Sequence, residues 1–336
     1  MKLAVLGAGS WGVVLAWLLS NNFDTITLWG RKEDMDEEFI KTKRKIHPLD
    51  VQLPQKIELT TDLKYAIDDA EIILMVVSTS GTRPVSKQLF EAGIKPHQII
   101  VNASKGIELP SLNTLSNVIK EELPHNSVAV LSGPTLAKEV LKGLPTAASV
   151  ACENIEVANK VQAALSVNNK FRLYTNTDVI GVELGGSLKN VIAIASGFVD
   201  AMDYGYNARG AILTRGLAEI VRISLALGAN PSTLYGLSGI GDLIATCSSP
   251  LSRNYQVGYK LGEGKKLKDI LKDLGAVAEG VQTSKAVCEL AKKLEIETPL
   301  AEVIYEAVYT DIPKEEILLK LMNRKLKREE MYQLKN

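Results

Sequence analysis

Apolar residues in the first half of the chain fall in short unbroken runs, separated by polar and glycine-rich turns. Residues 3–6, 25–29, 57–60, 71–77, 98–102, 128–131, 146–151 and 171–174 read as strands. Runs this short and this apolar belong to a sheet covered on both faces. Between them lie helical spacings, such as the stretch from Val13 and the capped segment 62–69. Near Thr177 the pattern changes, and long helical periodicities continue to the C-terminus, starting with a helix over 178–202. Two domains follow, 1–177 and 178–336.

The first run leads straight into Gly7-Ala-Gly-Ser-Trp-Gly12 and then into a helix. A G-x-G-x-x-G between strand and helix, with a second strand completing a βαβ unit, is the context in which the pattern denotes dinucleotide binding. Gly7 allows the turn, Gly9 leaves room for a pyrophosphate against the backbone, and Gly12 lets helix and strand close up. The helix N-terminus offers its unpaired N–H groups to phosphate. The expected fold is an α/β Rossmann-type N-terminal domain followed by an all-α C-terminal domain.

After the second strand comes Gly30-Arg31-Lys32. An acid here would accept from a ribose 2′-hydroxyl, whereas arginine accommodates a 2′-phosphate. Arg31 and Lys32 therefore favour NADP(H), while Glu33 and Asp34 soften the choice towards NAD(H). The charged stretch 33–50 contains Lys41-Thr-Lys-Arg-Lys45, but acids balance it locally and no aromatics interleave the basic run. A solvated helix and loop is expected there, not a nucleic-acid patch. Three later strands end in the small polar loops Ser78-Thr-Ser-Gly81, Ala103-Ser-Lys-Gly106 and Ser132-Gly-Pro-Thr135, at the sheet edge where open α/β folds bind ligands.

The helix over 178–202 holds Glu183-Leu-Gly-Gly-Ser-Leu-Lys-Asn190, with Gly185, Lys189 and Ala193 on one face. Each internal glycine costs about 1 kcal/mol relative to alanine, which close approach by a backbone or a ligand ring would justify. Lys189 sits among Leu188, Val191 and Ile192, and partial desolvation lowers a lysine pKa towards the range of a general acid or base. Tight packing with a snorkelling lysine explains this helix alone equally well. Asn207-Ala-Arg-Gly210 leads into a helix expected from about Ala211. Leu237-Ser-Gly-Ile-Gly-Asp242 is a turn presenting a carboxylate, and Ser252-Arg253-Asn254 opens a helix suited to a phosphate monoester. Cys247 has no histidine nearby in sequence and reads as packing.

Composition narrows the function. Lys+Arg and Asp+Glu both number 39 among 336 residues, so no net field draws nucleic acid or an anionic membrane. Cys152, Cys247 and Cys288 are scattered, and His47, His97 and His125 have no spaced partners, so neither a disulfide framework nor a metal centre is expected. No secretory signal follows the opening run, and the longest apolar candidate, 179–199, is broken by Glu183, Lys189 and Asn190. A cytoplasmic protein without a membrane span is expected, with a charged, solvated end over 326–336.

Together these residues resemble the bacterial-type NAD(P)-dependent glycerol-3-phosphate dehydrogenases. The resemblance rests on Gly7-Ala-Gly-Ser-Trp-Gly12, Leu28-Trp-Gly-Arg31, Ala103-Ser-Lys-Gly-Ile-Glu108, Ser132-Gly-Pro-Thr135 and Glu183 to Ala193. It continues through Asn207-Ala-Arg-Gly210, Thr214-Arg-Gly216, Gly241-Asp-Leu243, Ser252-Arg-Asn254 and Glu279-Gly280, and so covers nearly the whole chain. It implies hydride transfer between the nicotinamide and C2 of dihydroxyacetone phosphate, giving sn-glycerol 3-phosphate for phospholipid synthesis, in a homodimer. It also implies that Ser10, Trp11, Arg31, Lys32, Lys105, Ala137, Arg253, Val277 and Glu279 contact the cofactor. Lys105, Gly133, Thr135, Asp242, Ser252, Arg253 and Asn254 would surround the substrate, and Lys189 would protonate the alkoxide. Asp242 would orient that lysine and Lys105 would neutralise substrate charge, with Thr246 and Asn190 as secondary candidates. The chain departs from the usual pattern at Val13-Val14 and Gly30.

Two other readings fit parts of the chain. A sugar-acid or keto-acid reductase of the same plan would need a carboxylate-binding arginine in place of Ser252-Arg253-Asn254. A non-catalytic nucleotide sensor would have no use for Lys189 and Asp242.

Overall fold

The computed structural model describes residues 1–46, 49–275, 277–310, 312–326 and 328–329. His47, Pro48 and the end of the chain from residue 330 lie outside the described residues, so the expectation for 326–336 bears only on its first part, where Leu326 is exposed.

Ten strands are present among the described residues: β1 (Lys2–Leu6), β2 (Thr25–Trp29), β3 (Arg44–Lys45), β4 (Val51–Gln52), β5 (Ile57–Thr60), β6 (Ile72–Met75), β7 (Ile99–Asn102), β8 (Val128–Ser132), β9 (Thr146–Ala151) and β10 (Phe171–Asn176). Eight form one sheet in the order β10-β9-β8-β7-β6-β1-β2-β5. From β5 to β8 every pairing is parallel, so these six strands, ranked along the chain, run 3-2-1-4-5-6. That is the order of dinucleotide-binding sheets, and the strand order reverses between β1 and β6. β9 runs antiparallel to β8, and β10 parallel to β9.

β1 shows why its pattern lacks alternation. Leu3 and Val5 pack on one face with Val13, Ile26, Leu28 and Leu74, while Ala4 and Leu6 pack on the other with Ile73, Met75 and Ile100. Leu3, Ala4, Val5 and Leu6 are all fully buried. Burying each large side chain contributes about 1.5–3 kcal/mol, and both faces supply it.

The charged stretch 33–50 differs from expectation. A helix, Glu37–Thr42, is followed by the antiparallel ribbon β3–β4, tied by Arg44 to Asp50 through bonds of 2.8 and 2.7 Å. Two-residue strands are too short to show a period.

Packing divides the chain into one unit of Met1–Lys105 with Asn113–Val182, and a second of Gly106–Leu112 with Glu183–Asn336. The Val179–Ala201 helix is long and apolar enough to cross a membrane, yet 94% of its apolar window is buried inside the protein. The following helix, Gly205–Ala226, starts earlier than expected, so Asn207–Gly210 form its first turns and do not precede it. The preceding helix is interrupted at Asp203 and at the first residue of this one, Gly205, which both adopt positive φ (53° and 79°). Arg209 then pairs with Asp200 across the break. In the same helix, buried Glu219 accepts hydrogen bonds from Leu300 N (2.7 Å) and Ala301 N (3.1 Å), capping the Pro299–Tyr309 helix.

Candidate active site

In the first unit, the end of β1 turns at Gly7, whose φ is +118° and whose Cβ, were there one, would lie 2.4 Å from Val76 O. Only glycine satisfies both the angle and this approach of the chain leaving β6. A Cβ on Gly12 would lie 1.9 Å from Gly7 O, so the Ser10–Leu18 helix packs directly on the turn. Gly9 is different, with open space where its Cβ would be. The first intrahelical bond is donated by Val13 N to Gly9 O (3.0 Å), and no side chain caps the helix. The amides of Ser10, Trp11 and Gly12 therefore precede the hydrogen-bond ladder and face an uncrowded backbone, which fits a dinucleotide pyrophosphate.

Arg31 is brought beside this turn by a second close contact. Gly7 N donates to Trp29 O (2.8 Å), and a Cβ on Gly30 would lie 2.8 Å from Ala8 Cβ and 2.9 Å from Met35 Cγ. Packing thus explains Gly30. The Arg31 guanidinium forks onto Asp34, Nε to Oδ2 at 2.8 Å and Nη2 to Oδ1 at 3.3 Å, and Lys32 is exposed next to it.

Lys105, Gly133 and Thr135, from the loops after β7 and β8, meet at one carbonyl. Lys105 Nζ donates to Gly133 O (3.1 Å), and Thr135 Oγ1 donates to the same oxygen (3.2 Å). Gly133 is required there, because its φ is +155° and a Cβ would lie 2.8 Å from Ala148 Cα. Ala137 begins the Ala137–Leu141 helix and, like Trp11, packs on the unit's core.

The second unit holds the proton-transfer candidates. Lys189 Nζ donates to Asp242 Oδ1 (2.6 Å) and to Thr246 Oγ1, and Thr246 Oγ1 donates to the same carboxylate oxygen (3.0 Å). All three residues are buried. Asp242 and Thr246 stand one turn apart on the Asp242–Cys247 helix, which follows the wide turn Leu237–Gly241. That turn accounts for Gly185, whose Cβ would lie 2.6 Å from Ser238 O. One face of the lysine helix thus meets this segment twice, at Gly185 by backbone contact and at Lys189 by charge. Of the two reasons for a glycine at 185, the structure supplies the approaching backbone.

Ser252 caps the Arg253–Gly262 helix, its hydroxyl accepting from Tyr255 N (3.2 Å). Asn254 Nδ2 donates to Asn190 Oδ1 (2.9 Å), while Asn254 Oδ1 accepts from Gly280 N (2.9 Å). Asn254, predicted to bind substrate, is thereby fixed beside the residue following Lys189. The helix is held close by glycine, since a Cβ on Gly258 would lie 1.8 Å from Ile194 O and one on Gly197 2.0 Å from Tyr255 O. Arg253 stands at the helix start, where partial burial lowers its pKa from the ordinary guanidinium value and the charge of Glu279 opposes that shift. Val277 is half exposed.

Sequence reasoning ranked Thr246 and Asn190 second, yet both bond directly to first-rank residues. It gave Gly280 no role, although the backbone N–H of Gly280 orients Asn254. The motif Glu279-Gly280 was visible, but its contact is with a residue 26 positions away. Cys247 is buried and its thiol is pushed up to about 12, chiefly by burial, which leaves it unreactive. Among the described residues, no group of three or more His, Cys, Asp or Glu is placed to hold a metal.

Two family models match the chain. The model of the NAD-dependent glycerol-3-phosphate dehydrogenase N-terminus covers residues 2–158, and that of the C-terminus covers 178–319. Glycerol-3-phosphate dehydrogenase [NAD(P)+] of Thermoanaerobacter sp. (strain X514) is 46% identical over 329 residues, 98% of this chain and 99% of the relative. The enzyme of that name from Ligilactobacillus salivarius (strain UCC118) is 47% identical over 338 residues, 98% of each chain. Among solved structures, a glycerol-3-phosphate dehydrogenase from Coxiella burnetii superposes with a TM-score of 0.92 at 35% identity, covering 96% of this chain and 99% of the other.

Proposed function

The chain belongs to the NAD-dependent glycerol-3-phosphate dehydrogenase family, and from that premise we propose that it reduces dihydroxyacetone phosphate to sn-glycerol 3-phosphate with Lys189 as the proton donor. The cofactor is NADP(H), with NAD(H) also used, as in the relatives named for both. Residues 1–177 serve as the dinucleotide-binding domain and 178–336 as the substrate-binding domain. Ser10, Trp11 and Gly12 would hold the pyrophosphate by their amides, with Gly7 and Gly9 keeping the backbone clear. Arg31 and Lys32 would hold the adenosine ribose, and Ala137, Arg253, Val277 and Glu279 would complete the cofactor contacts. When bound, the reduced nicotinamide supplies the hydride.

The observation that carries the reading is the buried Lys189–Asp242–Thr246 cluster. Hydride addition to a ketone leaves negative charge on oxygen. An ammonium fixed in place by Asp242 and Thr246 would stabilise the developing alkoxide and then protonate it. Asp242 and Thr246 orient the lysine and compensate its charge. Lys105 offsets substrate charge beside Gly133 and Thr135, and the Ser252-Arg253-Asn254 helix start receives the phosphate. Reversal uses neutral Lys189 as the base.

We further read the protein as a cytoplasmic homodimer feeding glycerophospholipid synthesis. Sedimentation at twice the chain mass of 36.5 kDa checks the dimer. The reaction is tested by following NADPH and NADH oxidation separately with dihydroxyacetone phosphate and, as control, a 2-keto acid. Turnover of the triose phosphate alone supports the proposal, and turnover of the keto acid alone overturns it.

A further inference from the structure

The fork between Arg31 and Asp34 bears on how one site takes two cofactors. Arg31 follows Gly30, whose close contact with Ala8 holds the end of β2 against the glycine turn. A bare guanidinium there would select a 2′-phosphate, since it gains a charge-assisted bond that a 2′-hydroxyl cannot match. The guanidinium is not bare. Asp34 takes its Nε and one Nη2 hydrogen, leaving the Nη1 edge, and Glu33 stands 4.0 Å from Nε. The turn is built to hold this arrangement. Asp34 N and Met35 N both bond to Arg31 O (2.9 and 3.1 Å), and Lys45 Nζ binds Asp34 O (2.6 Å) while lying over the Phe39 ring. The pair is also accessible, with 68% of the Arg31 side chain and 39% of the Asp34 side chain exposed, so a ligand phosphate can reach it.

We propose that Asp34 is a cofactor-specificity determinant, which by holding the Arg31 guanidinium in a two-bond fork partly neutralises it and keeps NAD(H) usable alongside NADP(H). With NADP(H) the 2′-phosphate takes the Nη1 edge and meets the repulsion of Asp34. With NAD(H) the fork stays closed and no unpaired cation faces the ribose hydroxyl. The inference rests on the dinucleotide site described above but concerns a residue outside the implied cofactor contacts.

The test is Asp34→Asn, an exposed and nearly isosteric change. Kd values for NADPH and NADH are measured on wild type and variant by the fluorescence of the bound reduced cofactor, and those for 2′,5′-ADP and 5′-AMP by calorimetry. An exposed pair of this kind is worth a few-fold in binding, so the NADPH preference over NADH should rise about two- to fivefold. The preference for 2′,5′-ADP over 5′-AMP should rise with it. A preference unchanged within the error of the titrations, or a shift towards NADH, overturns the proposal. The same substitution in an Arg31→Ala background should leave the preference unmoved. A gain that persists there shows that Asp34 acts on the phosphate without Arg31, and also overturns it. If the wild-type protein binds neither nucleotide, the dinucleotide reading itself fails. If it binds both and Asp34→Asn changes nothing, only the role of Asp34 falls.

Discussion

Glu219 is the carboxylate whose surroundings disagree most openly about its charge. Two amides at the N-terminus of the Pro299–Tyr309 helix, at 2.7 and 3.1 Å, favour the anion, and Arg222 nearby does the same. Burial opposes them and dominates, raising the pKa from 4.5 to about 7, with Glu302 adding a small push in the same direction. A raised carboxyl pKa means that the folded state holds a proton that the unfolded chain has released. Stability from this group is therefore fully present below about pH 4.5 and is lost as pH rises through about 7, by about 3 kcal/mol in all. Glu219→Gln removes the titration while keeping one carbonyl acceptor. It also sets an amide nitrogen against the second backbone N–H, a loss of about 1–3 kcal/mol that does not vary with pH. Urea unfolding is followed at pH 5, 6, 7 and 8 by far-UV circular dichroism. Tryptophan fluorescence serves as the control, because Trp11, Trp17 and Trp29 all lie in the first unit. Between pH 5 and pH 8 the wild type should lose roughly 2–3 kcal/mol relative to the variant, a difference in which every pH-independent cost cancels. Parallel pH dependences would show that the two amides and Arg222 outweigh burial, and the reasoning from desolvation would be wrong.

Three further outcomes follow from the site and its supports. Lys189→Ala should lower kcat by at least about a hundredfold, the scale of lost general acid catalysis, while the NADPH Kd from fluorescence titration stays within about twofold; unchanged turnover removes Lys189 from the mechanism. Asp242→Asn leaves a buried ammonium with a neutral partner and should cost about 3–5 kcal/mol in chemical denaturation as well as turnover, so a variant as stable as wild type refutes the charge-compensating role. Gly258→Ala, whose Cβ would lie 1.8 Å from Ile194 O, should lower Tm, whereas Gly210→Ala, with open space at its Cβ, should raise stability by up to about 1 kcal/mol; like signs in the two melting curves would contradict the packing described.

What the sequence disclosed follows from the range of the interactions involved. The strand, glycine turn and helix from Lys2 to Leu18 were legible because the motif is contiguous: Gly7 answers to its φ, Gly12 to the carbonyl of Gly7, and Gly9 leaves the backbone uncrowded. Lys189 stood out because a lysine on a glycine-lined apolar face is an unusual surface for a helix. Its bond to Asp242 spans 53 residues, and no periodicity carries that information. The same limit hid the Asn190–Asn254–Gly280 chain, which joins three helices by side-chain amides and one backbone N–H. Strand direction is equally silent, and the antiparallel pairing of β8 with β9 leaves the apolar runs looking like the others. The start of the Gly205–Ala226 helix was misplaced because Asn207-Ala-Arg-Gly210 has the composition of a turn, while the actual break depends on two positive φ angles upstream.

The position of β1 has a consequence for how this chain is handled and assembled. Its five residues precede every other strand of the sheet in sequence, yet they pair with β2 on one side and β6 on the other, in the sheet's interior. During synthesis β1 waits until residues 72–75 have emerged before its second edge is covered. Removing Lys2–Leu6 would not shorten an edge but divide the sheet into β2–β5 on one side and β6–β10 on the other.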